Sequence, residues 1–197
     1  MIETSNTTPT NNRNATNYVS QYVKIRLEKA LREAELALKF LGQDLHRNAA
    51  GKAFQAWKAL LAAVAAQYKD AIAKRYAGAV RDKTGRLRSR ADMVIVLMLT
   101  TRMREVASAL EEVYGRELIH LTDIALNLHE FQYNGLDPEG IASRYSNLAD
   151  VEKDIKYLAE RYRVGEKRDE LPDDIGHFEV VFLLGLNDLR RGVEVCL

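Results

Sequence analysis

Cysteine is nearly absent from this chain. The single residue, Cys196, stands beside the C-terminus, which excludes an intrachain disulfide, a Cys-rich zinc site and a CxxC redox motif. That usage fits a reducing cytoplasm. No basic segment followed by an apolar stretch opens the chain, and the longest run of bulky apolar residues, residues 93–99, is far short of the ~20 residues that span a bilayer. A soluble protein without a membrane partner is expected. Neither sign of charge is in excess, since 29 Lys and Arg stand against 28 Asp and Glu, so an anionic partner would have to be met by a local patch. The glycine patterns GxxxxGK[ST] and GxGxxG do not occur, nothing resembles a nucleophile elbow, and there is no repeat of fixed period. Nucleotide hydrolysis and triad chemistry therefore have no motif behind them. The sequons at Asn6 and Asn14, without a secretory signal, read as coincidences of an Asn- and Thr-rich tail.

Helical periodicity is what the chain does have. With 197 residues, 47% of them hydrophobic, one domain with a substantial core is expected. Residues 1–16 carry too few bulky apolar groups to offset the entropy of ordering and are expected to be a disordered tail. From about Tyr18, the residues Val23, Leu27, Ala30, Ala34, Ala37 and Leu41 share one helical face, which ends at Gly42. A second helix begins three residues later and runs to about Tyr76; so short a connection makes the pair an antiparallel hairpin. A third helix is predicted over residues 91–114, with its first half buried all round, and a fourth over residues 116–133. Asn134-Gly135 and Asp137-Pro138 signal a turn, with Asp137 as N-cap of a short helix. Ser146 or Asn147 can cap a further helix in which Leu148, Val151, Ile155 and Leu158 repeat at helical spacing. Residues 175–197 would suit a strand or a helix; the lack of a partner strand favours helix. The expected fold class is all-α: an up-and-down bundle of four to five main helices over residues 17–165, then an acidic linker and C-terminal helical extension over residues 166–197.

The second helix carries two kinds of face. At about 100° per residue, Ala50, Ala53, Phe54, Trp57, Leu60, Leu61 and Val64 fall in one arc of about 120°, a core-facing stripe. Across it, Gly51, Ala59, Ala62 and Ala66 form a stripe without bulk, with Asn48, Lys52, Gln55 and Lys58 in or beside it. This arrangement suits either a polar niche for a partner or an anion, lined by Arg47, Asn48, Lys52 and Gln55, or an ordinary central helix with a snorkelling lysine edge.

Residues 81–90, RDKTGRLRSR, hold five basic residues and one acidic one. Lys83, Arg86, Arg88 and Arg90, with Lys74, Arg75, Arg102 and Arg104 nearby in sequence, make either a phosphate-binding patch or a solvated connector. On the fourth helix Arg116, His120, Asp123, Asn127 and Glu130 form a polar ladder, which is either functional or simply the wet side of an amphipathic helix. Within it Arg116 and His120, one turn apart, could hold a phosphate and move a proton, which makes them the weak catalytic candidates. Glu117-x-x-His120 is one half of a di-iron bundle signature; its nearest counterpart is Asp174-x-x-His177, so no metal and no cofactor are expected. His46 and His129 have no ligand-like spacing.

The segment at residues 30–63, and RNAAGKAFQAWKA at residues 47–59 above all, resembles the archaeal PaREP family of helical proteins. More distantly the hairpin is similar to the HEPN superfamily of small up-and-down bundles, often homodimeric, many of which are ribonucleases or toxin-antitoxin components. The HEPN nuclease motif separates Arg from His by four to six residues, whereas Arg116 and His120 are separated by three. The resemblance implies the fold, a homodimer and a thermophilic archaeal source, and no established activity. The expected function is a non-catalytic helical binding or interaction protein, with a protein partner or a second copy; the alternative is an HEPN-like RNA or nucleotide binder, a degenerate metal-independent ribonuclease.

Overall fold

In the computed structural model of the protein, residues 10–160 are described. The acidic linker and the strand-or-helix question at residues 175–197 lie outside the described residues. The fold is the expected all-α bundle, assembled on α2 (His46–Gln67). Nine of its 22 residues are alanine, which costs a helix least and lets neighbouring helices come close. Fifteen of the 22 are buried, so the helix has neighbours on nearly every side.

The chain α1 (Thr10–Leu41) lies antiparallel to α2 after a turn in which the Gly42 N–H reaches the Leu38 carbonyl at 3.0 Å and Asp44 adopts a φ of 58°. Helix α7 (Glu117–Asn134) is also antiparallel to α2: Gly51 faces Gln132, Phe54 stacks on His129, and Trp57 bonds to Thr122. Helix α8 (Leu148–Glu160) touches α1, α2 and α7 and runs in the direction of α2, with Glu152 at His46 and Tyr157 at Glu117. The Asn147 side chain caps it, accepting the Asp150 N–H at 3.0 Å. The second half of α2 is covered by α3 (Lys69–Arg75), α4 (Arg90–Leu97) and α5 (Met103–Ala109), and the short α6 (Glu111–Tyr114) leads into α7. No helix among the described residues is long and apolar enough to cross a membrane.

The structure departs from expectation in four places. The second helix is interrupted at Tyr68 before α3 ends at Arg75. The basic segment is a two-stranded antiparallel hairpin, β1 (Ala79–Arg81) with β2 (Leu87–Ser89), pairing Val80 with Arg88. The helix predicted over residues 91–114 is broken into α4, a 3-10 turn (Thr100–Arg102), α5 and α6. No Gly or Pro marks this break; α4 ends where Met98 turns left-handed at φ 37°, and the β-branched pair Thr100-Thr101 follows. The left turn buries Met98 and leaves Val96, Leu97 and Leu99 about half exposed, so this stretch is not buried all round. Lastly, Asp137 nucleates a loop and not a short helix: its carboxylate accepts the N–H groups of Glu139, Gly140, Ala142 and Ser143, a local alternative to helical bonding.

Candidate functional site

The RNAAGKAFQAWKA segment is chiefly the seam between α2 and its neighbours. Arg47 donates to the Gln132 carbonyl at 2.9 Å and to the Tyr133 carbonyl, satisfying acceptors left open at the end of α7. A Cβ on Gly51 would stand 2.7–2.9 Å from the amide of Gln132, so the glycine makes room for that side chain. Lys52 Nζ meets Glu33 of α1 at 2.8 Å. The Phe54 ring lies 4.1 Å from His129, centre to centre, and Trp57 Nε1–H donates to Thr122 Oγ1 at 3.0 Å. Thr122 in turn donates to the Leu118 carbonyl at 2.7 Å, so this buried polar pair is satisfied. The small stripe Gly51, Ala59, Ala62 and Ala66 is thus buried within the chain and does not await another backbone. Arg47 and Lys52, candidates for the polar niche, hold α7 and α1. Asn48 is exposed at a shallow cleft of about 350 Å³ lined also by His46, Arg47, Phe131 and Leu148, and Gln55 is half-buried on the open side of α2.

In the basic hairpin, Asp82 organises the turn. Its Oδ1 accepts the Thr84 N–H at 2.8 Å, the Thr84 hydroxyl at 2.6 Å and the Arg86 N–H at 3.0 Å, while Oδ2 takes Arg88 Nε at 3.1 Å. The Thr84 hydroxyl, with these other donors, pulls the carboxyl down to about 2. Arg88 is therefore neutralised, and Lys83, Arg86 and Arg90 remain as exposed cations. The wider patch does not assemble, because Arg75 and Arg102 share Glu105 and Arg104 pairs with Asp123 at 2.8 Å.

Arg116 and His120 sit at the start of α7. The Arg116 side chain is 80% exposed and its Nε bonds to Glu111 at 3.1 Å; His120 is exposed, linked to Arg116 through its backbone N–H. They are joined by the helix backbone. The polar ladder is likewise spent on surface pairs, Asp123 with Arg104 and Glu130 near Arg144 at 3.9 Å. Glu117 accepts the Tyr157 hydroxyl at 3.1 Å, His46 meets Glu152 at 3.1 Å, and no group of three metal-ligating side chains occurs among the described residues.

Residues 25–156, well over half of the chain, match the model of the archaeal PaREP1/PaREP8 family. The chain belongs to that family. No curated protein and no solved structure matches it. The PaREP1/PaREP8 match runs from α1 almost to the end of α8, and so covers the bundle together with its basic hairpin.

In this PaREP1/PaREP8 chain a second group of cations, Arg26 and Lys29 of α1 with Lys58 of α2, lies beside the His129 ring and was not legible in the sequence. Arg26 lies over the Tyr22 ring at 5.0 Å and donates to the Val96 carbonyl at 3.0 Å; Lys58 lies over the Phe54 ring at 5.9 Å. Burial lowers the pKa of Lys58, and the charges of Lys29 and Arg26 lower it further. Burial likewise lowers that of His129, followed by the charge of Lys58. The signal available beforehand was the spacing of Lys52, Gln55 and Lys58, three residues apart on an otherwise buried helix.

Proposed function

We propose that the protein is a non-catalytic helical interaction module that works as a homodimer. The observation carrying this reading is an apolar surface where α1 meets the end of α4. The Tyr22 hydroxyl donates to the Ile95 carbonyl at 3.1 Å and Arg26 to the Val96 carbonyl, which sets the first half of α1 beside the turn at Met98. Ile25, Val96, Leu97 and Leu99 around this contact are each 51–53% exposed. Apolar groups gathered on one surface gain by burial against a partner, at roughly 25 cal/mol per Å². The HEPN resemblance, which implies bundles that are often homodimeric, supports a second copy as that partner.

Sedimentation equilibrium at micromolar concentration tests the reading. A dimer that dissociates in Leu97→Asp, Leu99→Asp protein of unchanged helicity is expected. A wild-type monomer, or a double variant that still pairs, refutes it.

The hairpin favours a second reading, an RNA or nucleotide binder using Lys83, Arg86 and Arg90, with Arg88 held by Asp82. Salt-sensitive RNA binding lost on neutralising those residues would favour it. Cleavage lost in Arg116→Ala, His120→Ala protein would add the degenerate nuclease, while no binding at low salt removes both.

A further inference from the structure

The cations of α1 and α2 around Lys58 are held differently from the ion-paired basic groups of the molecule. Lys52, Arg75, Arg88, Arg102 and Arg104 each end on a carboxylate. Arg26 is held by the Tyr22 ring and a carbonyl, and Lys58 by the Phe54 ring, contacts that fix position without cancelling charge. Arg26 and Lys29 lie on the stretch of α1 opposite Lys58, since the pair Glu33–Lys52 sets the register of the antiparallel helices, and the charges of both act on Lys58. Glu33 pairs with Lys52, and Glu130, which acts on His129, faces Arg144, while Glu28 stands between Arg26 and Lys29 along α1 and is not among the groups acting on Lys58.

Neutral groups complete the surroundings. The Gln132 amide lies across Gly51, Gln55 is half-buried one turn from Lys58, and the His129 ring is stacked on Phe54 with its Nδ1 buried and without a hydrogen-bond partner. Concentrating like charges on a half-buried site is unfavourable unless an anion relieves it. A singly charged anion would leave most of that charge in place, whereas a phosphate group offers two charges and several acceptor oxygens for cation and amide donors together.

We propose that the strip of α2 around Lys58, between Arg26 and Lys29 of α1 and His129 of α7, is a binding site for an oxyanion of the phosphate class. It stands independently of the dimer, which uses the neighbouring apolar surface.

Sodium phosphate titrated into the full-length protein at constant ionic strength, with chloride as reference, tests this by NMR of the backbone amides and the His129 ring. Saturable shifts confined to the Lys58 strip and the His129 ring are expected. Lys58→Met, which keeps the apolar stem, should weaken binding by about tenfold or more; Lys58→Arg should retain it, and Lys83→Met in the hairpin should leave it unchanged. Should Lys58→Met fail to fold, Lys29→Met on the same site makes the same comparison. Absence of saturable shifts, affinity unchanged in Lys58→Met, or equal loss in Lys83→Met overturns the site. Acetate binding as tightly as phosphate overturns its class.

Discussion

Glycine at position 51 is costly in a helix interior, by about 1 kcal/mol relative to alanine, and replacing it separates two explanations of its presence. A Cβ there would lie 2.7 Å from Cδ, 2.8 Å from Oε1 and 2.9 Å from Nε2 of Gln132, inside the roughly 3.5 Å at which such atoms attract. Backbone does not block it; the far end of a flexible side chain does. Gly51→Ala should therefore expel the amide, losing a packed polar contact of about 1 kcal/mol while gaining about as much in helix propensity. Its net effect on unfolding in guanidinium should be close to zero. In a Gln132→Ala background nothing is expelled, and the same substitution should stabilise by about 1 kcal/mol. The coupling between positions 51 and 132 is then about 1 kcal/mol in a double-mutant cycle, in which the propensity change at position 132 cancels. Equal stabilisation by Gly51→Ala in both backgrounds would show that the glycine is not reserved for Gln132.

Three further outcomes follow from the same contacts. Thr122→Val leaves the Trp57 N–H buried and unpaired and should lower unfolding free energy by about 1–3 kcal/mol, whereas Thr122→Ser should recover most of it in the same denaturation experiment; equal losses would refute the role of the hydroxyl. Arg47→Met frees the carbonyls at the end of α7 and should cost about 0.5–1 kcal/mol, with faster amide exchange of residues 131–135; unchanged exchange would count against the clamp. Hydrogen bonding chiefly from Arg102 holds the Glu105 carboxyl down at about 2, against an ordinary 4.5. A depressed folded value means that its stabilising contribution is complete above the unfolded value and is lost as pH falls from about 4.5 towards 2. The guanidinium midpoint should drop over that window, less steeply for Glu105→Gln; an identical slope in the variant would refute the assignment.

The helices with clear apolar spacing and a glycine at their end were legible: Leu41 before Gly42 and Tyr114 before Gly115 each close an element as expected. The cap at Asn147 was legible for the same reason, being a local hydrogen bond between residues close in sequence. The break at Met98 was not, because it depends on a side chain turning inward to be buried and leaves no Gly or Pro behind. The strands of the hairpin are three residues each, too short for alternation to register, and are tied together by the Asp82 carboxylate. At the seam, residue types were read correctly while their partners were not. Arg47 and Lys52 looked like ligand donors because carbonyls and carboxylates from distant segments, at Gln132 and Glu33, cannot be seen from the sequence. The Lys58 group was missed because half of it, Arg26 and Lys29, comes from another helix.

A helix surrounded as α2 is cannot come away by itself. Fraying α8 exposes one strip of it and releasing α1 another, yet α2 loses its shelter only when all its neighbours have left. Opening of this molecule is thus ordered from the outside inward, with α2 the last helix to lose its cover. Substitutions in its segment RNAAGKAFQAWKA are felt by three helices at once, so the short sequence that distinguishes this chain is also the one with least freedom to drift.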